Sequence, residues 1–300
     1  MADRGEVCVL LPTLDEAETV GTVIDGLHER GYGNVLVMDG GSTDGTREIA
    51  REHGARVERQ SGSGKGQAIR EALALIDAEY VLMLDGDGTY RPADADAVLD
   101  PVVSGEAEHV VGDRFADMEP GAMPRLNRVG NRLINAAFRR IHGEDYADIL
   151  SGYRALSRRA VRGLRLTADG FGIETELAVE CAKYGLETAV VPITYRARPE
   201  DSEPNLRPIR DGGRIIATLY QLARTSNPLF YFGSLGALSG AVGTGLGAYV
   251  GIEWFLRGIS HQVVAVAAGF AILFGVQLVM FGVLSDMLIS LQRDQLRRLE

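Results

Sequence analysis

Two carboxylates one residue apart, Asp85 and Asp87, close the apolar run Val81-Leu82-Met83-Leu84 in a glycine-rich break, Asp85-Gly86-Asp87-Gly88. A run so short and uncharged is predicted to be a strand buried on both faces. Both acids then fall at its carboxyl end, where open α/β sheets bind ligands. Side chains alternate faces along a strand, but Gly86 and Gly88 loosen the backbone enough for the two carboxylates to turn toward one point. Hard oxygens converging in this way suit Mg²⁺ or Mn²⁺, with a diphosphate filling the rest of the shell; the alternative is a turn carrying two solvated acids. Lys65, in Ser61-Gly-Ser-Gly-Lys65-Gly66, opens a helix from a glycine-rich loop that resembles a phosphate cradle but lacks P-loop spacing. It is a diphosphate or loop-closing cation, or else part of a solvated turn. A third set is cationic. Arg125, Arg128 and Arg132 recur at helical spacing, and Arg196, Arg198 and Arg207 lie in the segment leading to a later surface helix. The planar guanidinium fork grips two phosphate oxygens at once; the alternative for each is pairing with the acidic surface or with anionic lipid. The five histidines show no metal-ligand spacing, and Cys8 and Cys181 are expected as buried thiols.

The elements that must hold these residues alternate strand and helix. Val7 to Leu11 is a predicted strand, Pro12 to Leu14 a loop at its carboxyl end, and Asp15 to about Arg30 a helix with acids in its first turn. Val35 to Met38 repeats the pattern, with the loop from Asp39 to Thr46 and a helix that Ser42 or Thr43 is able to cap. Further strands are expected at Arg56 to Arg59, at His109 to Gly112, within Ser151 to Ser157, and at Thr188 to Ile193. Helices are expected at Gln67 to Ile76, Ala93 to Val103, Pro124 to Ile141 and Ile173 to Tyr184. This order predicts an α/β domain, Rossmann-like, with a mainly parallel sheet and helices on both faces.

Charge divides the 300 residues unevenly. Residues 1–206 hold 36 of the 41 acidic and 23 of the 31 basic residues, net −13, whereas residues 207–300 are net +3. Only Lys65 and Lys183 are lysines, against 29 arginines; an acidic, lysine-poor surface is expected of a protein kept soluble in concentrated salt, although a GC-rich genome also favours arginine. Such acidity argues against nucleic acid as a partner, since little here would neutralise a run of phosphates. The amino terminus carries no signal-peptide apolar core. Arg210 to Thr225 has the pattern of an amphipathic helix at a membrane surface. Residues 228–252 and 262–285 contain no charge, each enough to cross a hydrocarbon core of roughly 30 Å. Arginines precede the first span and follow the second, which puts both ends in the cytoplasm. The expected organisation is a cytoplasmic catalytic domain at 1–206, an interfacial helix at 207–226, two transmembrane helices within 227–291 and a cytoplasmic tail at 292–300 of a multi-pass cell-membrane protein. Gly236, Gly240, Gly243, Gly247 and Gly251 give the first span close-packing surfaces, for a homo-oligomer or for the second span.

Several short motifs occur together and in order: Leu11-Pro-Thr-Leu-Asp-Glu16, Val37-Met-Asp39-Gly-Gly-Ser-Thr-Asp-Gly-Thr46, Gly64-Lys-Gly66, Asp85-Gly-Asp87, Gly112-Asp-Arg114, Asp148-Ile-Leu-Ser-Gly-Tyr-Arg154 and Val191-Pro-Ile-Thr-Tyr-Arg-Ala-Arg198. By these the chain resembles the inverting family 2 glycosyltransferases of the GT-A fold, specifically the polyprenyl-phosphate hexosyltransferases typified by dolichyl-phosphate mannose synthase. With its paired C-terminal spans it is most similar to the haloarchaeal dolichyl-phosphate hexosyltransferases that start the N-glycan of S-layer glycoprotein. The resemblance implies that Pro12, Leu14, Glu16, Asp39 and Asp85 hold the nucleotide, that Asp85 and Asp87 hold Mg²⁺ or Mn²⁺, and that Arg198 and the arginines of the 125–132 helix meet the lipid phosphate. Asp87, Asp148 and Glu176 are its candidate catalytic groups, the last two as orienting residues. Departures from the family pattern are Gly40 in place of a second acid, Leu14-Asp15 in place of an aromatic-Asn pair, and Thr89 in place of an amide. Ser202-Glu-Pro-Asn205-Leu206 also lacks an expected lysine, for which Arg207 compensates. The implied reaction moves a hexose with inversion from a nucleoside-diphosphate sugar, UDP-glucose favoured, to dolichyl phosphate in the membrane. The alternatives are a GDP-mannose-dependent synthase and a nucleotide-binding membrane scaffold without turnover.

Overall fold

Seven strands, β1 (Val7–Thr13), β2 (Val35–Asp39), β3 (Arg56–Arg59), β4 (Tyr80–Met83), β5 (His109–Met118), β6 (Arg154–Ser157) and β7 (Thr188–Tyr195), form one sheet in the order β3-β2-β1-β4-β6-β5-β7. The computed structural model describes residues 4–170, 172–198 and 208–299. β6 runs antiparallel to β4 and β5, and the other pairs are parallel. Helices α1 (Val20–Glu29), α2 (Thr46–Glu52), α3 (Lys65–Leu75), α4 (Ala95–Val103), α5 (Arg125–His142), α6 (Arg158–Gly163) and α7 (Ile173–Tyr184) belong to the same unit. The alternation of β1 shows how the sequence builds two layers of core. Val7, Val9 and Leu11 join Ile24 and Leu27 of α1 and Val98 and Leu99 of α4 in one cluster. Cys8 and Leu10 join Ile69 of α3 and Leu177 of α7 in the other. Each fully buried aliphatic side chain contributes about 1.5–3 kcal/mol, so a strand buried on both sides is anchored twice over. The register pairs Thr13 with Asp39 and Leu10 with Met83, which brings the loops after β1, β2 and β4 to one end of the sheet.

The expected elements are present, with the unexpected short helix α6 added and with differences at several ends: Pro12 and Thr13, expected in a loop, continue β1 by pairing with Met38 and Asp39, α3 starts at Lys65, and β7 runs on to Tyr195. α1 begins at Val20 rather than at Asp15, because residues 15–17 fasten onto the neighbouring loop. Asp15 adopts a positive φ of 54° and its Oδ1 accepts from the Thr43 N–H at 2.7 Å. The Glu16 N–H donates to Thr46 Oγ1 at 2.9 Å. Neither Ser42 nor Thr43 caps α2; Gly45, at φ 95°, occupies that position, and Ser42 Oγ accepts from the Asp15 N–H instead. β5 continues past Gly112 to Met118 because it gains β7 as a parallel partner.

The chain divides into two compact units, Met1–Leu219 and Tyr220–Glu300, with the boundary inside α8 (Pro208–Ser226). The second unit contains α9 (Pro228–Arg257) and α10 (Gln262–Leu299), both long and apolar enough to cross a membrane. Asn227 caps α9 by accepting from the Phe230 N–H at 3.0 Å, with Pro228 at the first helical position. The two helices pack through the small residues of the first: a Cβ on Gly236 would lie 2.6 Å from the Gly275 carbonyl oxygen, and one on Gly243 2.7 Å from that of Ala268. Ser239 Oγ donates to the Ala271 carbonyl at 2.8 Å. Gly236 and Gly243 therefore serve packing within the chain, and the Gly240 backbone lies 2.9 Å from where a Cβ on Gly275 would stand, whereas a Cβ on Gly240, Gly247 or Gly251 would itself meet nothing within 4 Å.

Candidate active site

Three loops at the carboxyl ends of β1, β2 and β4 build the site. Asp39 ends β2 fully buried, and its Oδ2 accepts from the N–H groups of Gly41 and Ser42 at 2.9 and 3.1 Å. It thereby closes its own loop, while the Gly40 N–H donates to the Thr13 carbonyl at 2.8 Å. Pro12 is buried in β1, and Leu14 stands exposed beside Gly40. After β4 the backbone passes tightly under its neighbours. A Cβ on Gly86 would lie 2.7 Å from Thr13 Cγ2, and one on Gly152, from the loop before β6, 2.9 Å from Asp85 Oδ2. Glycine at these two positions lets the loop after β4 lie close to Thr13 and the loop before β6 close to Asp85.

Charge gathers around Asp85 and Asp87. Lys65 Nζ lies 2.6 Å from Asp85 Oδ1 and 2.6 Å from Glu174 Oε1. Burial opposes the charge on Lys65, but Asp85 and Glu174 outweigh it and hold the ammonium protonated. Asp87 Oδ1 accepts from the Thr89 N–H at 3.0 Å and from its hydroxyl at 2.6 Å, while Arg198 pairs with Oδ2. Arg198 is also 3.9 Å from Glu16 Oε1. Glu16 is pushed up to about 7 by burial and then by Asp87, against the pull of Arg198. Asp85 is raised by burial, which together with Asp87 and Glu174 outweighs Lys65. Tyr90, whose ring meets those of Tyr153 and Tyr195 at 5.4 Å, accepts from the Gly152 N–H at 2.8 Å and steadies the loop beneath Asp85.

The cluster thus holds four carboxylates, Glu16, Asp85, Asp87 and Glu174, against two cations, Lys65 and Arg198. Among the described residues no group of three or more histidine, cysteine or carboxylate side chains is arranged to hold a metal. The excess of negative charge and the paired aspartates fit a divalent cation that takes two protein oxygens and completes its shell from a diphosphate and water, as Mg²⁺ and Mn²⁺ do.

The remaining expected residues lie elsewhere. Asp148 is fully buried and both its oxygens are taken by Arg114, at 2.6 and 2.9 Å. Glu176 accepts from the N–H groups of Thr167 and Ala168 and from the Thr167 hydroxyl. Each of these two acids is occupied by structural partners. Arg125 and Arg132 are exposed on α5, and Arg128 reaches Met118 Sδ at 3.3 Å. Arg207 lies outside the described residues. Sequence reasoning gave no role to Glu174 or Tyr90, and Arg114 entered it only as the end of the motif Gly112-Asp-Arg114. Glu174 looks in sequence like one more acid favoured by a helix dipole, and only its burial beside Lys65 marks it out.

The family model of glycosyl transferase family 2 matches residues 8–165, more than half of the chain. The chain belongs to glycosyl transferase family 2. Among family relatives, it is 62% identical over 295 residues to "Glycosyltransferase AglJ" of Haloferax volcanii, covering 98% of this chain and 97% of that protein. It is 34% identical to a "Dolichyl-phosphate hexose transferase" of the same organism, over 70% of this chain and 90% of that one. A solved structure, glucosyl-3-phosphoglycerate synthase from Mycobacterium tuberculosis in complex with Mn²⁺ and UDP-glucose, superposes with a TM-score of 0.59 at 26% identity, covering 72% of this chain and 78% of that one. The chain is therefore a glycosyltransferase with the GT-A-like fold of its family, followed by two helices apolar enough to span a membrane.

Proposed function

We propose that this glycosyltransferase moves a hexose, with inversion, from a nucleoside-diphosphate sugar to dolichyl phosphate. The observation that carries the reading is the carboxylate pair Asp85 and Asp87 at the sheet's carboxyl end, flanked by Lys65 and Arg198, in a chain with two membrane-length helices. The loops of Pro12 to Glu16 and of Asp39 receive the nucleoside. Mg²⁺ or Mn²⁺, bound by Asp85 and Asp87, would neutralise charge on the departing diphosphate. Lys65, held protonated beside Asp85, donates to that diphosphate and adds electrostatic stabilisation that needs no proton transfer.

The acceptor chemistry fits the cations. A phosphate monoester has a second pKa near ~6 and is already a dianion at neutral pH, so it needs positioning more than a general base. Arg198 supplies one guanidinium at the carboxylate cluster. Arg125, Arg128 and Arg132 stand on α5 among exposed Leu126, Val129 and Leu133, a mixed apolar and cationic face suited to a lipid head group, and Arg207 follows in sequence. The structural engagement of Asp148 and Glu176 agrees with a reaction that requires no carboxylate base.

Glucose from UDP-glucose is the favoured sugar, supported by the family resemblance and by the UDP-glucose complex of the solved relative. The relationship to Haloferax volcanii proteins and the acidic, lysine-poor surface support a role in N-glycosylation of S-layer glycoprotein in a salt-adapted archaeon, with the catalytic unit cytoplasmic. Membranes containing the protein, given dolichyl phosphate and labelled UDP-glucose, GDP-mannose or UDP-N-acetylglucosamine in turn, should yield a hexosyl monophosphate lipid by mass analysis. Nucleotide binding with no lipid product from any donor would overturn the assignment in favour of a scaffold.

A further inference from the structure

We propose that the first turn of α7 is the positioning unit for Lys65, with Glu174 holding its ammonium and Glu176 holding the segment that fixes the turn on which it sits. The inference rests on the reading of Lys65 as a cation for the donor diphosphate. Lys65 opens α3 between Gly64, at φ 99°, and Gly66. The first N–H groups of a helix have no partner within it; here those of Gly66 and Gln67 donate to the Asp169 carbonyl at 2.9 and 3.2 Å. The approach is so close that a Cβ on Gly64 would run into the Asp169 carbonyl oxygen, and one on Gly66 into that of Ala168.

Residues 167–169 therefore act as a strap across the start of α3, and Glu176 ties that strap down. Its carboxylate, 3% exposed, accepts from the Thr167 N–H at 2.9 Å, the Thr167 hydroxyl at 2.6 Å and the Ala168 N–H at 2.8 Å. Charge-assisted bonds of this kind are about twice as strong as neutral ones. Two residues before it, Glu174 sends its carboxylate to Lys65 Nζ itself. Residues at i and i+2 point to different sides of a helix, so the two glutamates grip the glycine turn through different parts: one by the backbone strap, one by the side chain. α7 is anchored in turn by fully buried Arg154, which donates to the Glu174 carbonyl at 3.0 Å. An ammonium has three N–H donors. Asp85 and Glu174 flank it as ion-pair partners at 2.6 Å each, and its donor capacity is available to a diphosphate oxygen. A lysine left to itself on a glycine turn would sample many rotamers; this one is held from both ends. Glu176 is on this account a positioning residue that acts through Lys65.

The test uses the full chain in detergent and exploits its two lysines. An amine-reactive ester is applied and modification is read by mass analysis, with Lys183, paired with Glu180 at 2.8 Å, as the internal reference. Glu174→Gln and Glu176→Gln should each raise the rate at Lys65 relative to Lys183 several-fold. Binding of UDP in the presence of Mn²⁺ should weaken by about tenfold in each variant and by no more when either is combined with Lys65→Met, because effects routed through one group are not additive. Lys65 reactivity indifferent to both substitutions, or binding losses that add to that of Lys65→Met, would overturn the inference while leaving the donor site standing. A wild-type chain that binds neither UDP nor GDP would instead overturn the reading of the site, and the role given to Lys65 with it.

Discussion

Arg198 pairs with Asp87 through Oδ2 while Thr89 donates to Oδ1, so both oxygens of the second aspartate are engaged within the protein. A divalent cation that takes Asp87 as a ligand must displace the guanidinium, and the displaced Arg198 is then released to meet a phosphate. Arg198→Gln should therefore tighten Mn²⁺ binding to the nucleotide-free chain by about tenfold, or ~1.4 kcal/mol, while transfer to dolichyl phosphate falls sharply. Titration of the free Mn²⁺ resonance signal checks the first arm; Mn²⁺ affinity that is lost along with the arginine would show that Arg198 supports the metal rather than competing with it.

Glu16 makes a pH-dependent contribution whose sign follows from its raised proton affinity. Its carboxyl shifts from the ordinary 4.5 to about 7 through burial and the neighbouring Asp87. Between these values the folded state binds the proton and the unfolded chain has lost it, so stability falls as pH rises through the window and levels off above it. In EDTA, Glu16→Gln should raise the thermal midpoint at pH 8 and leave it nearly unchanged at pH 4. An equal shift at both pH values would place the effect in packing rather than in ionisation.

The parts of this architecture that depend on neighbouring residues in the chain were legible in the sequence. The uncharged run before Asp85 is too short for a buried helix and ends in a glycine-rich break, which marks it as a strand, and the alternation of Val7, Val9 and Leu11 against Cys8 and Leu10 matches two core layers. What escaped depends on contacts between distant residues. Asp87 and Arg198 are 111 positions apart, and no local pattern announces their pairing. The start of α1 was misplaced because Asp15 is drawn out of helical geometry by Thr43. Asp148 and Glu176 look equally catalytic or structural in sequence; the partners that settle their surroundings, Arg114 and the 167–168 backbone, come from other elements.

Two glycines at the site should respond differently to alanine. At Gly152 the added Cβ would lie 2.9 Å from Asp85 Oδ2, the end of a side chain that Lys65 holds in place. At Gly66 it would strike the Ala168 backbone carbonyl, which cannot turn aside. Gly152→Ala should cut hexose transfer by an order of magnitude or more for a stability loss of about 1 kcal/mol, whereas Gly66→Ala should cost several kcal/mol, in the range of overpacked sites. Denaturation midpoints alongside initial rates would separate the two; similar stability losses in both would contradict the assignment of Gly152 to the carboxylate's position.

The last prediction concerns the side of the membrane on which the chemistry occurs. Arg207, Arg210, Arg214 and Arg224 precede the first apolar helix and Arg293, Arg297 and Arg298 lie at the end of the second, while Arg257, the last residue of the first, is the one arginine beside the turn between them. Arg257 is moreover paired with Glu253 at 2.7 Å, which reduces its weight as a topological signal. Arginine near the end of a span resists translocation, so both ends of this hairpin should stay in the cytoplasm. Nucleotide sugars are made there, and a donor site on that side needs no transport of its substrate. Protease added to sealed right-side-out vesicles should therefore leave residues 1–206 intact, and detergent should expose them to cleavage. Moving the charge, by Arg207, Arg210, Arg214 and Arg224→Gln together with two arginines added to the 258–261 turn, should make a fraction of molecules cleavable from outside. Digestion of the unmodified protein in intact vesicles would reverse the topology and separate the site from a cytoplasmic donor.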